Sequence, residues 1–157
     1  MKANFLSYII TIQILFGLEL SVLTYNIHAL SPIFAGDKPK LRIVNILDRS
    51  RDFDIILLQE NWIFPQERIM RALNDYQVSV SNESKFKGLF KWLLNPNGSG
   101  LSFAIKNNQT ILSSNQEAFK NCSGWLGKMN DCLSTKGFQQ ISIKIDNGRV
   151  DIYNTHL

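Results

Sequence analysis

Histidine is scarce in this sequence: His28 and His156 are the only two. Cysteine is equally scarce, with Cys122 and Cys132 alone, and there are four prolines. Two cysteines in one Gly- and Asn-rich stretch, "NCSGWLGKMNDC", lack the C-x-x-C spacing and the second ligand pair of a zinc module. They are also too few for a disulfide-dense scaffold. No run of five or more like charges occurs. The net charge of +4 is spread along the chain, so the dense basic stripe of a dedicated nucleic-acid binder is missing, although an anionic substrate or surface is compatible. No internal repeat and no low-complexity tract stands out. What is present is 45% hydrophobic residues over 157 positions, with 19% charged. That excludes wholesale disorder and suits one domain with a sizeable core.

The first residues, "MKANFLSYIITIQILFGLE", place Lys2 before an apolar run that reaches Leu18. This is the order of a secretory signal peptide, expected over residues 1–19, with 20–157 as the folded part. The cleavage signal is poor, because a cut after Gly17 would put Leu15 three positions upstream. An uncleaved membrane anchor, interrupted by Glu19, and a buried strand are the alternatives. Export, to a secreted, periplasmic or extracellular location, would let Cys122 and Cys132 close a small disulfide loop worth about 2 to 3 kcal/mol. Retained inside the cell, they would be two unpaired thiols. Four N-x-S/T sequons begin at Asn82, Asn97, Asn108 and Asn121, and matter only in a host that glycosylates.

"LSVLTYNIH" is apolar on both faces, as a buried strand should be. "SPIFAGDKP" is a punctuated loop, and Pro39 can open a helix whose face would carry Leu41, Val44 and Leu47. "FDIILLQE" is a short apolar run ending in polar residues, again a buried strand. A second helix is expected from Pro65 to Asn74, with Gln66 and Glu67 in its first turn. "YQVSVS", "GLSFAIK" and "TILSSNQEAF" read as strands. The basic, aromatic segment 85–94 could touch a membrane surface or pack on the core with its lysines outward. "FQQISIKID", "NGR" and "VDIYNTHL" read as a hairpin, with Asn147-Gly148 as its tight turn. Early helices and late hairpins together predict an α/β layered sandwich.

Three of these strands finish in polar residues: the first in Asn26, the second in Glu60, the last in Asn154 and His156. A carboxylate, an amide and an imidazole converging at strand ends suit a hard divalent cation with a phosphate. "LTYNIH", "DIILLQE" followed by "NW", "GLSFAI", "DCLSTKGFQQISIKI" and "VDIYNTHL", in that order, resemble the endonuclease/exonuclease/phosphatase superfamily. Its fold is that of deoxyribonuclease I, and the likeness is strongest to its neutral sphingomyelinase-type branch. The resemblance runs from about Leu20 to Leu157. It implies a deoxyribonuclease I-like α/β-sandwich, here roughly its first half: a mixed, mostly antiparallel sheet with two helices. It also implies a Mg²⁺-dependent hydrolysis of a phosphodiester, either a phospholipid headgroup or a nucleic acid. In that family Asn26 would belong to the metal and phosphate network, Glu60 would hold Mg²⁺, and His156 would bind and polarise the scissile phosphate. Asn154 matches no assigned role in that family; from its place two residues before His156 it is expected to support the substrate site from behind.

The family's chain continues past this His, to an Asp-x-Asn pair and a late Asp-His pair that supplies the general base. Neither occurs in these 157 residues. The sequence is therefore expected to be the N-terminal half of a phosphodiesterase, its own activity uncertain. The other reading is a non-catalytic half-domain that binds a partner, or a degraded gene product.

Overall fold

The computed structural model describes residues 19–30, 38–84, 97–124, 132, 134–146 and 148–156. The apolar run Ile55–Gln59 forms β2, buried at every position but the last. A strand with both faces covered needs a layer on each side, and β2 has them. Ile56 and Leu58 pack with Ile43 and Leu47 of helix α1 (Pro39–Arg49) and Ile69 of helix α2 (Gln66–Ala72). Ile55 and Leu57 face the other way, onto Ile141 and Ile143 of β6 (Gly137–Ile145). The chain thus stacks helices, a first sheet and a second sheet.

The first sheet has the order β1-β2-β4-β3, from β1 (Val22–Asn26), β2, β4 (Ser102–Lys106) and β3 (Tyr76–Val80). β1 runs parallel to β2 through α1, and the other pairs are antiparallel. The second sheet is antiparallel, β5-β6-β7, with β5 (Thr110–Ala118) and β7 (Gly148–His156) on either side of β6. This is the expected layered α/β-sandwich with a mixed, mostly antiparallel strand set and two helices. Among the described residues no helix is long and apolar enough to cross a membrane.

Three local expectations change. β1 reads as a buried strand, and the last strand as one arm of a hairpin with an apolar face. They are sheet edges instead, and Val22, Tyr25, Val150 and Tyr153 are exposed. On α1 the buried set is Pro39, Ile43 and Leu47, spaced by four, while Leu41 and Val44 lie on the solvent side. In the last hairpin Ile145 pairs with Gly148, so Gly148 belongs to the strand and Asp146, at φ 45°, opens the turn. Asn147, the signal-peptide segment through Leu18, and the basic aromatic segment 85–94 lie outside the described residues.

The end of the first sheet away from Glu60 is pinned by Asp54. Its carboxylate accepts from the Ser21 hydroxyl at 2.6 Å and the Ser21 N–H at 3.0 Å, and pairs with Lys106 Nζ at 3.1 Å. The entries to β1 and β2 are thereby tied to the end of β4. The Ser21 hydrogen bonds, then Lys106, outweigh burial and hold the Asp54 carboxyl down at about 2, against an ordinary 3.8. A carboxyl depressed in the folded state adds stability above its unfolded pKa and loses it as pH falls through the folded value. The melting temperature should therefore drop between about pH 4 and pH 2. Asp54→Asn should be less stable near neutrality and should lack that part of the drop. Parallel melts of both proteins from pH 6 to pH 2 measure it, and superimposable profiles would refute this role of Asp54.

Candidate phosphate and metal site

β1 and β2 are parallel, so both deliver their C-terminal ends to one edge of the sheet. The pairing outlasts the strands: Ile27 N–H donates to Gln59 O at 3.0 Å, and Ala29 N–H to Glu60 O at 2.8 Å. At this edge the backbone turns left-handed at two non-glycine residues, His28 at φ 46° and Glu60 at φ 55°. That conformation is uncommon for residues with a Cβ and strained unless neighbouring bonds enforce it. Here they do. The His28 N–H donates to Asn26 Oδ1 at 3.0 Å, and Arg42 Nη2 donates to His28 O at 3.0 Å. Arg42 Nη1 also donates to Ile27 O.

Behind Glu60 the chain is fixed just as firmly. Asn61 is fully buried; its N–H donates to Gly100 O at 2.7 Å and its Nδ2 to Ser102 Oγ at 2.7 Å. Gly100, at φ 68°, lies flat on the Trp62 ring, where a Cβ would come within 2.6 Å of a ring carbon. Asn97, one of the sequon asparagines, uses its amide to donate to Asn61 O at 2.9 Å and Phe64 O at 2.8 Å.

The Glu60 carboxylate meets two imidazoles. Oε2 lies 2.8 Å from His28 Nδ1, and Oε1 lies 3.5 Å from His156 Nε2. Burial pushes the Glu60 carboxyl up, but hydrogen bonds from Asn26 and His28 and the charge of His156 outweigh it, so the group sits below its ordinary value. Asn26 Oδ1 is engaged by a backbone N–H, so the Asn26 amide NH₂ is the end that reaches Glu60. His156 Nδ1 stands 3.0 Å from Lys136 Nζ. An ammonium only donates, so in the neutral imidazole Nδ1 keeps its lone pair and Nε2 carries the proton.

Of the residues singled out in the sequence, Asn26, Glu60 and His156 come together. Asn154 stands behind them: it is buried, its Nδ2 donates to Leu58 O at 3.1 Å and Ser102 O at 3.2 Å, and its Oδ1 accepts from Gln59 at 2.7 Å. It faces the first sheet rather than the open edge. Cys122 and Cys132 form a disulfide, Cα atoms 5.1 Å apart, in the loop that leads into Lys136 and β6. His28 and Lys136 were not foreseen as site residues. The signal for His28 was available, because it lies two residues past Asn26; Lys136 precedes the "GF" of β6 with nothing to mark it.

The donor chemistry fits a divalent cation of the Mg²⁺ type. Such an ion takes one or two carboxylates and completes its shell with water and substrate oxygens. Glu60 supplies one, partly exposed and ionised at neutral pH. Among the described residues no group of three or more His, Cys, Asp or Glu is arranged to hold a metal. Solvent or substrate would have to provide the remaining positions.

The fold defines a class. It is that of the endonuclease/exonuclease/phosphatase structures, present over about half of their length. An endonuclease/exonuclease/phosphatase from Bacteroides vulgatus aligns with 88% of this chain and 52% of its own, at 16% identity and TM-score 0.61. A beta-hairpin deletion mutant of beta toxin from Staphylococcus aureus aligns over 88% and 51%, at 17% identity and TM-score 0.66. The mannosyl-6-phosphatase Bt3783 of Bacteroides thetaiotaomicron aligns over 88% and 52%, at 18% identity and TM-score 0.62. No protein-family model matches the chain, and no curated protein sequence does.

Replacing Asn154 by Ala would strip partners from Gln59 and from two strand carbonyls. A buried polar group left unmade costs about 1 to 3 kcal/mol. Asn154→Ala should therefore lose roughly 2 kcal/mol or more in urea unfolding. It should also broaden the His156 ring signals in NMR spectra. An unchanged midpoint would show that the sheets are held by apolar packing alone.

Proposed function

We propose that this chain carries the metal- and phosphate-handling part of an exported hydrolase of phosphate esters, acting on phosphodiesters in the manner of sphingomyelinases or nucleases. The observation that carries the reading is the ionised Glu60 carboxylate, held by Asn26 and flanked by two imidazoles at the open edge of the parallel strand pair. The fold of a toxin, a phosphatase and an endonuclease/exonuclease/phosphatase over half their lengths supports it. The disulfide supports export.

In this reading Glu60 anchors Mg²⁺ or a similar divalent cation. That cation, when bound, neutralises charge that builds on the phosphate. Asn26 keeps the carboxylate oriented by donating to it. His156 Nε2, which faces Glu60 Oε1 at 3.5 Å, would carry the proton that can be donated to a phosphate oxygen, and Lys136 beside Nδ1 favours that tautomer. An open depression along α1, lined by Lys38, Leu41, Arg42, Asn45, Ile46 and Arg49, adds three basic side chains to the charge an anionic substrate would meet. Both histidines of the sequence already face Glu60, so a separate imidazole base is not among these 157 residues. The second reading, a half-domain that binds a partner, is favoured by the exposed Val22, Tyr25, Val150 and Tyr153 on strands β1 and β7 at the sheet edges.

Adding MgCl₂ to the 157-residue chain should shift the backbone resonances of Asn26 and Glu60, and Glu60→Gln should abolish the shift. Hydrolysis of bis(p-nitrophenyl) phosphate should stay at background, since losing general-base help alone costs about 10²- to 10⁴-fold. Resonances indifferent to Mg²⁺ would overturn the site. Mg²⁺-dependent turnover that vanishes in Glu60→Gln would show that these residues suffice for catalysis.

A further inference from the structure

The net charge of +4 is scattered along the sequence, but the fold gathers it. Helices α1 and α2, with Lys38 at the start of α1, carry six cations: Lys38, Lys40, Arg42, Arg49, Arg68 and Arg71. They carry two acids, Asp48 and Glu67, so the helix layer holds a net of +4. The other 11 Lys and Arg of the chain are matched by 11 Asp and Glu, since the totals are 17 and 13. The excess of positive charge therefore lies on one layer. All of its charged residues but Arg42 are exposed, and Asp48 is further neutralised by Arg51 at 3.2 Å.

The same layer exposes aliphatic carbon. Leu41 is 62% exposed, and Val44 and Met70 are each 45% exposed. Ile43, Leu47 and Ile69 already cover the sheet, so these three are surplus to the core. The depression along α1 combines both characters: Lys38, Arg42 and Arg49 stand beside Leu41 and Ile46, and no carboxylate is among its described lining residues. Lys38 and Arg49 are eleven positions apart, about 16 Å along a helix. That is longer than a single phosphate and suits a row of anionic groups.

Cations around exposed aliphatic side chains match the anionic surface of a lipid bilayer, where charges meet headgroups and carbon enters the boundary beneath them. A nucleic-acid strand is held by aromatic platforms as well as by charge, and neither helix has an aromatic residue. We propose that the outer face of α1 and α2 is a docking surface for an anionic lipid bilayer. Its lysines and arginines supply the attraction, and Leu41, Val44 and Met70 supply the insertion. Arg42 links this face to the open strand edge, because it also donates to the carbonyls of Ile27 and His28. The docking does not depend on a metal at Glu60.

Vesicle flotation tests it on the 157-residue chain, in EDTA so that no ion at Glu60 bridges to a headgroup. The vesicles are phosphatidylcholine alone, or phosphatidylcholine with about a quarter phosphatidylglycerol. The chain should bind the anionic vesicles at least about tenfold more tightly than the neutral ones, and less as NaCl rises from about 50 to about 300 mM. A Lys or Arg at an anionic surface contributes roughly fivefold in affinity, so K38Q/R49Q should weaken binding at least about tenfold. L41Q, at unchanged charge, should weaken it at least about threefold. Arg42 is left in place because it holds the backbone of the site. K144Q/R149Q removes the same charge from exposed positions on the second sheet and should change binding less than about twofold. Positions 38, 41 and 49 are exposed, so these variants should melt with the parent chain. Binding that persists in K38Q/R49Q, as it would through the apolar N-terminal run, overturns the proposal. So does an equal loss in K144Q/R149Q, or equal flotation with neutral vesicles. A dimer by light scattering that L41Q converts to a monomer would assign the face to a second copy of the chain and overturn it as well.

Discussion

The side-chain amide of Asn154 holds the two sheets at the offset the site needs. It reaches from the edge strand of the second sheet to carbonyls on β2 and β4 of the first, and accepts from Gln59. Its neighbours are the carboxylate and one imidazole of the candidate site. Glu60 follows Gln59 directly, and His156 lies two residues past Asn154, on the same side of the strand. One buried amide thus sets the distance between a carboxylate on one sheet and an imidazole on the other. Apolar packing between Ile55, Leu57, Ile141 and Ile143 supplies most of the adhesion, but it is non-directional and fixes no register. The amide does, because an unmet hydrogen bond in that interface is costly.

The strand end beside it is tuned by geometry more than by burial. The desolvation of Glu60 by itself would favour the neutral acid, and three surrounding groups reverse that. They meet the carboxylate at the place where the chain turns left-handed, at His28 and at Glu60. Each such turn costs on the order of 1 kcal/mol or more for a residue with a Cβ. The Arg42 guanidinium, gripping two successive carbonyls, offsets part of it. Helix α1 therefore serves the site through one side chain as well as covering the sheet.

Much of this was legible in the sequence. Apolar runs and turn residues located both helices and the strands, and the polar endings of three of them located Asn26, Glu60 and His156. What was illegible depended on tertiary partners. Nothing in "KLRIVNIL" decides whether Leu41 and Val44 or Ile43 and Leu47 face the sheet, since both sets are apolar at helical spacing. The apolar faces of β1 and β7 look like core until their place at sheet edges is known. Local pattern also hides left-handed backbone at a histidine and a glutamate, where glycine or asparagine is the usual sign. His28 is therefore marked in the sequence only by its place two residues past Asn26, and its turn toward Glu60 is not. Lys136 was missed because its contact with His156 crosses strands, and strand periodicity carries no information about which residues stand opposite each other.

The site draws on both extremes of the described chain. Asn154 meets Leu58 across 96 residues, and His156 must reach the Glu60 carboxylate over a similar separation. Closing so long a loop is entropically costly, which would place it after the local hairpins and helices in folding. The last strand can pair with β6 early, through the short Asp146 turn, and dock on the first sheet only afterwards. An intermediate with both sheets formed but undocked would hold every residue of the site and none of its geometry. Ligand binding would then report the final docking step of folding, and a ligand that bridges Glu60 and His156 would slow unfolding by holding that step closed.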